Sequence, residues 1–223
     1  MRRNKAKENL KKGELVFGTM ISDLRSPGVP QMMSTAGFEV IVFDSEHSGM
    51  SIETIADQIV AARAAGIVSV VRIPNRKYDH LLSRPLDAGA QGILAPNVHT
   101  VEETKNIIKN VKYYPEGMRG TAFKRIHSDF TSQETEKTIT ESNENLDNIE
   151  EIVAVEGVDV AFVGPSDLSQ SLGIPGQTDH PREIECIRKV IKACEGKEVV
   201  PGIHVHDMEA AQRWVEEGMK FLL

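Results

Sequence analysis

Short apolar runs rich in valine and isoleucine alternate along the chain with longer stretches in which apolar residues recur at i, i+3 and i+4. The short runs fall at 15–20, 38–44, 68–73, 91–97, 137–142, 158–163, 199–205 and 219–223. Near-continuous Val/Ile runs of this length read as strands buried on both faces. The longer stretches include 52–65, 101–111, 146–155, 182–194 and 208–217, and their spacing predicts amphipathic helices. Eight strands alternating with helices predict a parallel sheet, and eight is the number that closes a (β/α)8 barrel, also called a TIM barrel.

The punctuation agrees. Gly37, Gly66, Gly89, Gly157, Gly196 and Gly218 each end a helical run shortly before a strand, where a glycine takes the left-handed conformation without a Cβ penalty. Ser51, Thr100 and Asp207 read as N-caps, Thr100 and Glu103 as a capping box, and Pro181 as a first-turn proline. An open doubly wound sheet is the alternative architecture. Against it, the first βα turn, Met20-Ile21-Ser22-Asp23-Leu24, carries no G-x-G-x-x-G, and no P-loop is present. The reading is therefore one α/β barrel domain over residues 1–223. Two features stand out. The segment from Asp129 to Lys137 is short and polar, and the sequence stops at Phe221-Leu222-Leu223, inside the eighth strand, with the eighth helix absent. A parallel barrel needs its outer face covered, so the expectation is a polypeptide that continues with an amphipathic helix and forms a homo-oligomer.

A hydrophobic fraction of 40% supports a packed core. The formal charge of −7 argues against a nucleic-acid partner. Met1-Arg2-Arg3-Asn4-Lys5 is basic, but no apolar signal-peptide core follows, and no run approaches the roughly 18 apolar residues of a membrane span. A soluble, cytoplasmic protein without a membrane partner is expected. The two cysteines, Cys186 and Cys194, lie eight apart on one predicted helix and read as ordinary thiols in a reducing compartment.

Catalytic groups of such barrels lie at the C-terminal ends of the strands. Strand two ends Phe43-Asp44-Ser45-Glu46-His47-Ser48, strand three carries Arg72, strand five ends Thr140-Glu141-Ser142, strand six runs into Gly164-Pro165-Ser166-Asp167-Leu168-Ser169, and strand seven into His204-Val205-His206-Asp207. A charge on a buried strand is costly unless paired or metal-bound. Arg72 is therefore either a catalytic cation or half of a structural Arg–carboxylate pair at the barrel mouth. Glu141 and Asp167, from neighbouring strands, could share one hard cation such as Mg2+ or Mn2+; Asp167 could instead cap a helix. His204 and His206 share a face at strand spacing and could ligate zinc, although no third His or Cys has an obvious place beside them.

Five segments, Asp44-Ser45-Glu46-His47-Ser48, Val71-Arg72-Ile73-Pro74, Leu86-Asp87-Ala88-Gly89-Ala90, Gly117-Met118-Arg119-Gly120 and Gly164-Pro165-Ser166-Asp167-Leu168-Ser169, together resemble the HpcH/HpaI aldolase family, over nearly the whole chain. The resemblance implies a barrel of the phosphoenolpyruvate/pyruvate type. It implies a class II, divalent-metal-dependent aldolase (Mg2+, Mn2+ or Co2+) that cleaves a 4-hydroxy-2-oxo acid to pyruvate and an aldehyde through a metal-stabilised pyruvate enolate. Carried over by position, Glu141 and Asp167 resemble the metal ligands, Arg72 the residue on the keto oxygen, and His47 the acid/base residue. Asp87 resembles an aspartate that works with that histidine, although it precedes strand four, at the bottom of the barrel. The backbone N–H groups of Ser166 and Asp167 would receive the pyruvate carboxylate. A hexamer is also implied. Ile139 departs from the family pattern, in which a glutamine stands two before the metal glutamate. Competing readings are a citrate lyase β-subunit-like enzyme acting on an acyl-CoA, and a non-catalytic barrel that binds a 2-oxo acid.

Overall fold

The computed structural model describes residues 3–113, 115–120, 138–141 and 148–223, with only the backbone path described for 138–141. Eight parallel strands run in the order β1 (Val16–Ile21), β2 (Val40–Asp44), β3 (Val68–Arg72), β4 (Gly92–Ala95), β5 (Thr138–Glu141), β6 (Val158–Val163), β7 (Val200–Ile203) and β8 (Phe221–Leu222). They close into a barrel in which β8 pairs with both β7 and β1, so the open doubly wound alternative is excluded. The expected strands all form, β1 and β6 as long as their apolar runs and the others one to three residues shorter. For the fifth, Lys137 and Ser142 lie outside the described residues, as does the short polar segment before it.

The helices are α1 (Lys5–Lys11), α2 (Gly28–Thr35), α3 (Ile52–Ala65), α4 (Asp79–Asp87), α5 (Val101–Val111), α6 (Ile149–Ile152), α7 (Pro165–Ser171), α8 (Pro181–Cys194) and α9 (Met208–Glu217). Within 148–155, α6 covers only a single turn, shorter than the apolar spacing suggests. The expected caps form at Ser51, Thr100 and Asp207, whose side chains accept from Thr54, Glu103 and Ala210 N–H. Glu103 departs from the capping box: its carboxylate accepts from His99 N–H, one residue before the cap, and pairs with Arg76. Gly66 and Gly218 close α3 and α9 in the left-handed region, with φ of 71° and 115°, and the other four punctuating glycines also have positive φ.

Strand parity explains the continuous Val/Ile runs. On β2, Val40 and Val42 point into the barrel, where they pack with Val68, Val70, Leu94, Val160 and Phe162. Ile41 and Phe43 point outward onto α3 through Ile55 and Ile59. Both faces are buried, each such side chain contributing on the order of 2 kcal/mol. Continuing the inward parity of β2 and β3 by one more step reaches Asp44 and Arg72, which the register places opposite each other. The apolar filling of the barrel thus gives way to charge at its C-terminal mouth.

One buried charge belongs to the outer layer. Glu183, in the first turn of α8, is fully buried, and neither carboxylate oxygen has a hydrogen-bond partner among the described residues. Burial, reinforced by Asp179, pushes its carboxyl up to about 7. The fold therefore favours the protonated form. Its contribution to stability is full below the unfolded value of about 4.3 and is lost as pH rises through about 7. Glu183→Gln is expected to stabilise the protein at pH 8 by on the order of 1–3 kcal/mol and to change little near pH 4. Urea unfolding at the two pH values checks this, and a variant less stable than wild type at pH 8 contradicts it.

Candidate functional site

The turn after β2 is built by its own side chains. The Asp44 carboxylate accepts from the N–H groups of Glu46 (2.9 Å) and His47 (3.3 Å). Ser48 Oγ donates to the Asp44 carbonyl, and Ser45 Oγ donates to the Arg72 carbonyl. The segment Asp44-Ser45-Glu46-His47-Ser48 is therefore a turn in which short polar side chains substitute for ladder hydrogen bonds.

The same Asp44 carboxylate fixes Arg72. Arg72 Nε lies 2.9 Å from Oδ1 and Nη2 lies 2.8 Å from Oδ2, a bidentate fork, while Nη1 lies 3.4 Å from Glu46 Oε2. Asp44 is completely buried. Burial raises its pKa, but the Arg72 hydrogen bonds and charge, with the two backbone donors, outweigh it and hold the carboxyl below the usual range. Glu46 responds oppositely. Burial pushes it up against the attraction of Arg72 and His47, and the negative charges of Asp44 and Asp167 add to the rise. Asp44 and Glu46 are the site residues that sequence reasoning left without a role. The available signal was the one that singled out Arg72: Asp44 ends a wholly buried apolar strand.

Asp167 sits in the first turn of α7, and the N-cap there is Gly164, with no side-chain cap bond, so the capping role is not the one Asp167 plays. Its carboxylate accepts no hydrogen bond among the described residues, and its charge is felt by Glu46. Beside it, the N–H groups of Ser166 and Asp167 belong to a helical first turn, whose donors lack intrahelical acceptors. The backbone of Glu141 ends β5 and is paired with Phe162 on β6, the strand that leads to Asp167. The side chain of Glu141 lies outside the described residues.

His47 is exposed, with Nε2 3.7 Å from Glu46 Oε2. Asp87 is not brought to it within the chain: it ends α4, below β4, and pairs with Arg119 at 2.7 Å. The Arg119 guanidinium in turn stacks on Tyr113. His204 and His206 lie just past β7 with ring centroids 5.1 Å apart. Burial, then His206, then Arg72 lower the pKa of His204, which places it electrostatically beside the same mouth. Among the described residues no group of three or more His, Cys, Asp or Glu could hold a metal ion, so the zinc alternative gains no third ligand. Cys186 and Cys194 are free thiols. No helix among the described residues is long and apolar enough to cross a membrane.

An all-oxygen donor set suits a hard divalent cation. The residues present fit one: the Asp167 carboxylate accepts no hydrogen bond among the described residues, and its negative charge adds to the rise of Glu46. A cation held there would relieve the repulsion.

The chain is similar to known proteins over nearly its whole length. The chain is 33% identical to a hydroxypyruvate/pyruvate aldolase of Roseobacter denitrificans, over 98% of this chain and 89% of that one. It is 32% identical to a 5-keto-4-deoxy-D-glucarate aldolase of Shigella boydii, over 98% and 88%. The crystal structure of an HpcH/HpaI aldolase from Desulfitobacterium hafniense superposes with a TM-score of 0.90 at 32% identity, covering 97% of this chain and 88% of that one. The family model for HpcH/HpaI aldolase/citrate lyase matches residues 20–222. With a barrel that closes on eight strands and carries its charges at their C-terminal ends, this chain belongs to the HpcH/HpaI aldolase/citrate lyase family.

Proposed function

We propose that the protein is a carbon–carbon lyase that cleaves a 4-hydroxy-2-oxo acid to pyruvate and an aldehyde. The observation that carries the reading is the Arg72 guanidinium, locked by Asp44 at the barrel mouth beside Asp167 and Glu46. Glu141 and Asp167 would hold a divalent cation, which supplies Lewis-acid polarisation of the 2-oxo acid when bound. The first-turn N–H groups of Ser166 and Asp167 receive the substrate carboxylate, as helix starts favour anions. Arg72 places a fixed positive charge where the C2 oxygen gains negative charge; because Asp44 orients it beforehand, little reorganisation is needed. His47, on the turn that Asp44 organises, takes the C4 hydroxyl proton. The C3–C4 bond then breaks, its electron pair forms the C2–C3 double bond of the enolate, and the aldehyde leaves. Protonation at C3 completes pyruvate.

The reading predicts that the protein, supplied with Mg2+ or Mn2+, releases pyruvate and an aldehyde in equal amounts from a racemic 4-hydroxy-2-oxo acid, measured by coupled reduction of the pyruvate. Turnover of an acyl-CoA without such release would move the assignment to the citrate lyase-like reaction. Saturable binding of a 2-oxo acid without any turnover would make the protein a binding barrel.

A further inference from the structure

The barrel mouth carries an inward group that the proposed reaction does not use. On β7, Val200 packs with the apolar filling of the barrel, and an added Cβ on Gly202 would meet Phe162 and Val160 of that filling, whereas Ile203 and Val205 belong to the outer layer. His204 takes the next inward place. The ladder persists there: His204 N–H donates to the Val163 carbonyl and Val205 N–H to that of Leu223. In the closed strand order β7 stands opposite β3, so His204 faces the mouth from across Arg72, whose charge acts on it.

The lyase reading, on which this inference rests, orients the substrate. With the C2 oxygen on Arg72 of β3 and the carboxylate on the first turn of α7, after β6, the third substituent of the trigonal C2 points to the arc from β7 through β8 and β1 to β2. That substituent is C3. The turn after β2 holds His47 for the C4 end. On the rest of the arc the inward side chains nearest the mouth are His204 on β7, Leu223 on β8 and Met20 on β1, while Ser22, just past β1, is turned to Asp44 (3.4 Å). Space adjoins His204: it shares a cavity of about 260 Å3 with Pro165, the residue before Ser166. On the exposed side of that cavity Arg213 is paired with Asp179 and lies over Trp214. Burial, then His206, then Arg72 favour the neutral imidazole, which carries one hydrogen-bond donor and one acceptor. A methyl group matches neither, whereas a hydroxyl matches both.

We propose that His204 sets donor specificity by hydrogen-bonding a hydroxyl on C3, so that the protein takes 3-hydroxy-2-oxo acids as donors and, in the cleavage direction, acts on 3,4-dihydroxy-2-oxo acids. In the addition direction C3 of such a donor loses a proton, its electron pair bonds to the aldehyde carbon, and the aldehyde oxygen takes up a proton, as with pyruvate. His204 holds the hydroxyl and takes no part in the proton transfers.

Competition between donors tests it. Equimolar pyruvate and hydroxypyruvate are offered together with propanal and Mg2+, and NMR of the two adducts gives the ratio of kcat/KM. Wild type is expected to favour the hydroxypyruvate adduct. His204→Leu should lower the ratio at least about fivefold, the scale of one neutral hydrogen bond. His204→Gln, which keeps a donor and an acceptor, should retain most of the preference. Exchange of pyruvate methyl protons in D2O should stay near that of wild type in both variants. If His204→Leu does not fold, His204→Ala at this half-buried position supplies the same ratio. A wild type that excludes hydroxypyruvate, or a ratio unchanged by removal of the imidazole, would overturn the proposal. So would an equal loss for both donors, which would put His204 on the substrate carboxylate. Absence of pyruvate exchange in the metal-loaded wild type is a different result: it would strike the lyase reading, and this inference with it.

Discussion

Exhaustive removal of divalent cations is expected to abolish cleavage of a 4-hydroxy-2-oxo acid, and Mg2+, Mn2+ or Co2+ to restore it. The argument rests on charge at the barrel mouth. Asp167 lacks a hydrogen-bond partner among the described residues, and its repulsion helps to raise Glu46. Arg72 is shared between Asp44 and Glu46, so that one guanidinium already serves two carboxylates, with the charge of Asp167 acting on Glu46, before Glu141 and a substrate carboxylate are counted. Binding an anionic 2-oxo acid there without an added cation would deepen the imbalance. Steady-state rates before and after dialysis against EDTA make the measurement. Full activity after dialysis contradicts the expectation, and rescue by zinc alone would direct attention to His204 and His206.

Arg72→Lys is expected to lower kcat by at least about a hundredfold, the scale of losing one oriented donor to an oxyanion. The two residues carry the same charge but differ in shape. Arg72 spends Nε and Nη2 on Asp44 and directs Nη1 towards Glu46, and lysine cannot reproduce that fork. Asp44→Asn should lower kcat in the same direction with Arg72 intact, because it weakens the pairing that aims the guanidinium. Urea unfolding of both variants separates position from stability. Near-normal kcat with a lowered unfolding midpoint would mean that the pair holds the barrel mouth together and does no more.

Much of this fold is legible in local pattern. The Val/Ile runs mark the strands because both faces of β2 and β3 are buried, and glycines such as Gly66 and Gly218 mark helix ends because those positions need positive φ. Arg72 is legible as a charge in an apolar run. The role of Asp44 is less so, since it depends on a register that sets Asp44 opposite Arg72 across two strands. Glu103 looks like a capping-box partner by spacing, but the loop before α5 offers it His99 N–H and Arg76 instead. Asp87 illustrates a further limit. Its motif can be recognised, yet the fold sends it to the other end of the barrel from His47, where Arg119 holds it. Burial of Glu183 without a partner arises only when α8 packs, and its sequence position in a first helical turn suggests nothing unusual.

The central claim is that the barrel mouth activates pyruvate as an enolate, with the aldehyde end handled separately by His47. Proton NMR of pyruvate in D2O tests it most directly, since it requires no knowledge of the natural aldehyde. The account predicts that wild-type protein with Mg2+ or Mn2+ exchanges the methyl protons, that Arg72→Ala loses both exchange and cleavage, and that His47→Ala slows cleavage far more than exchange. A metal-loaded protein that exchanges no pyruvate protons and cleaves no 4-hydroxy-2-oxo acid would contradict it.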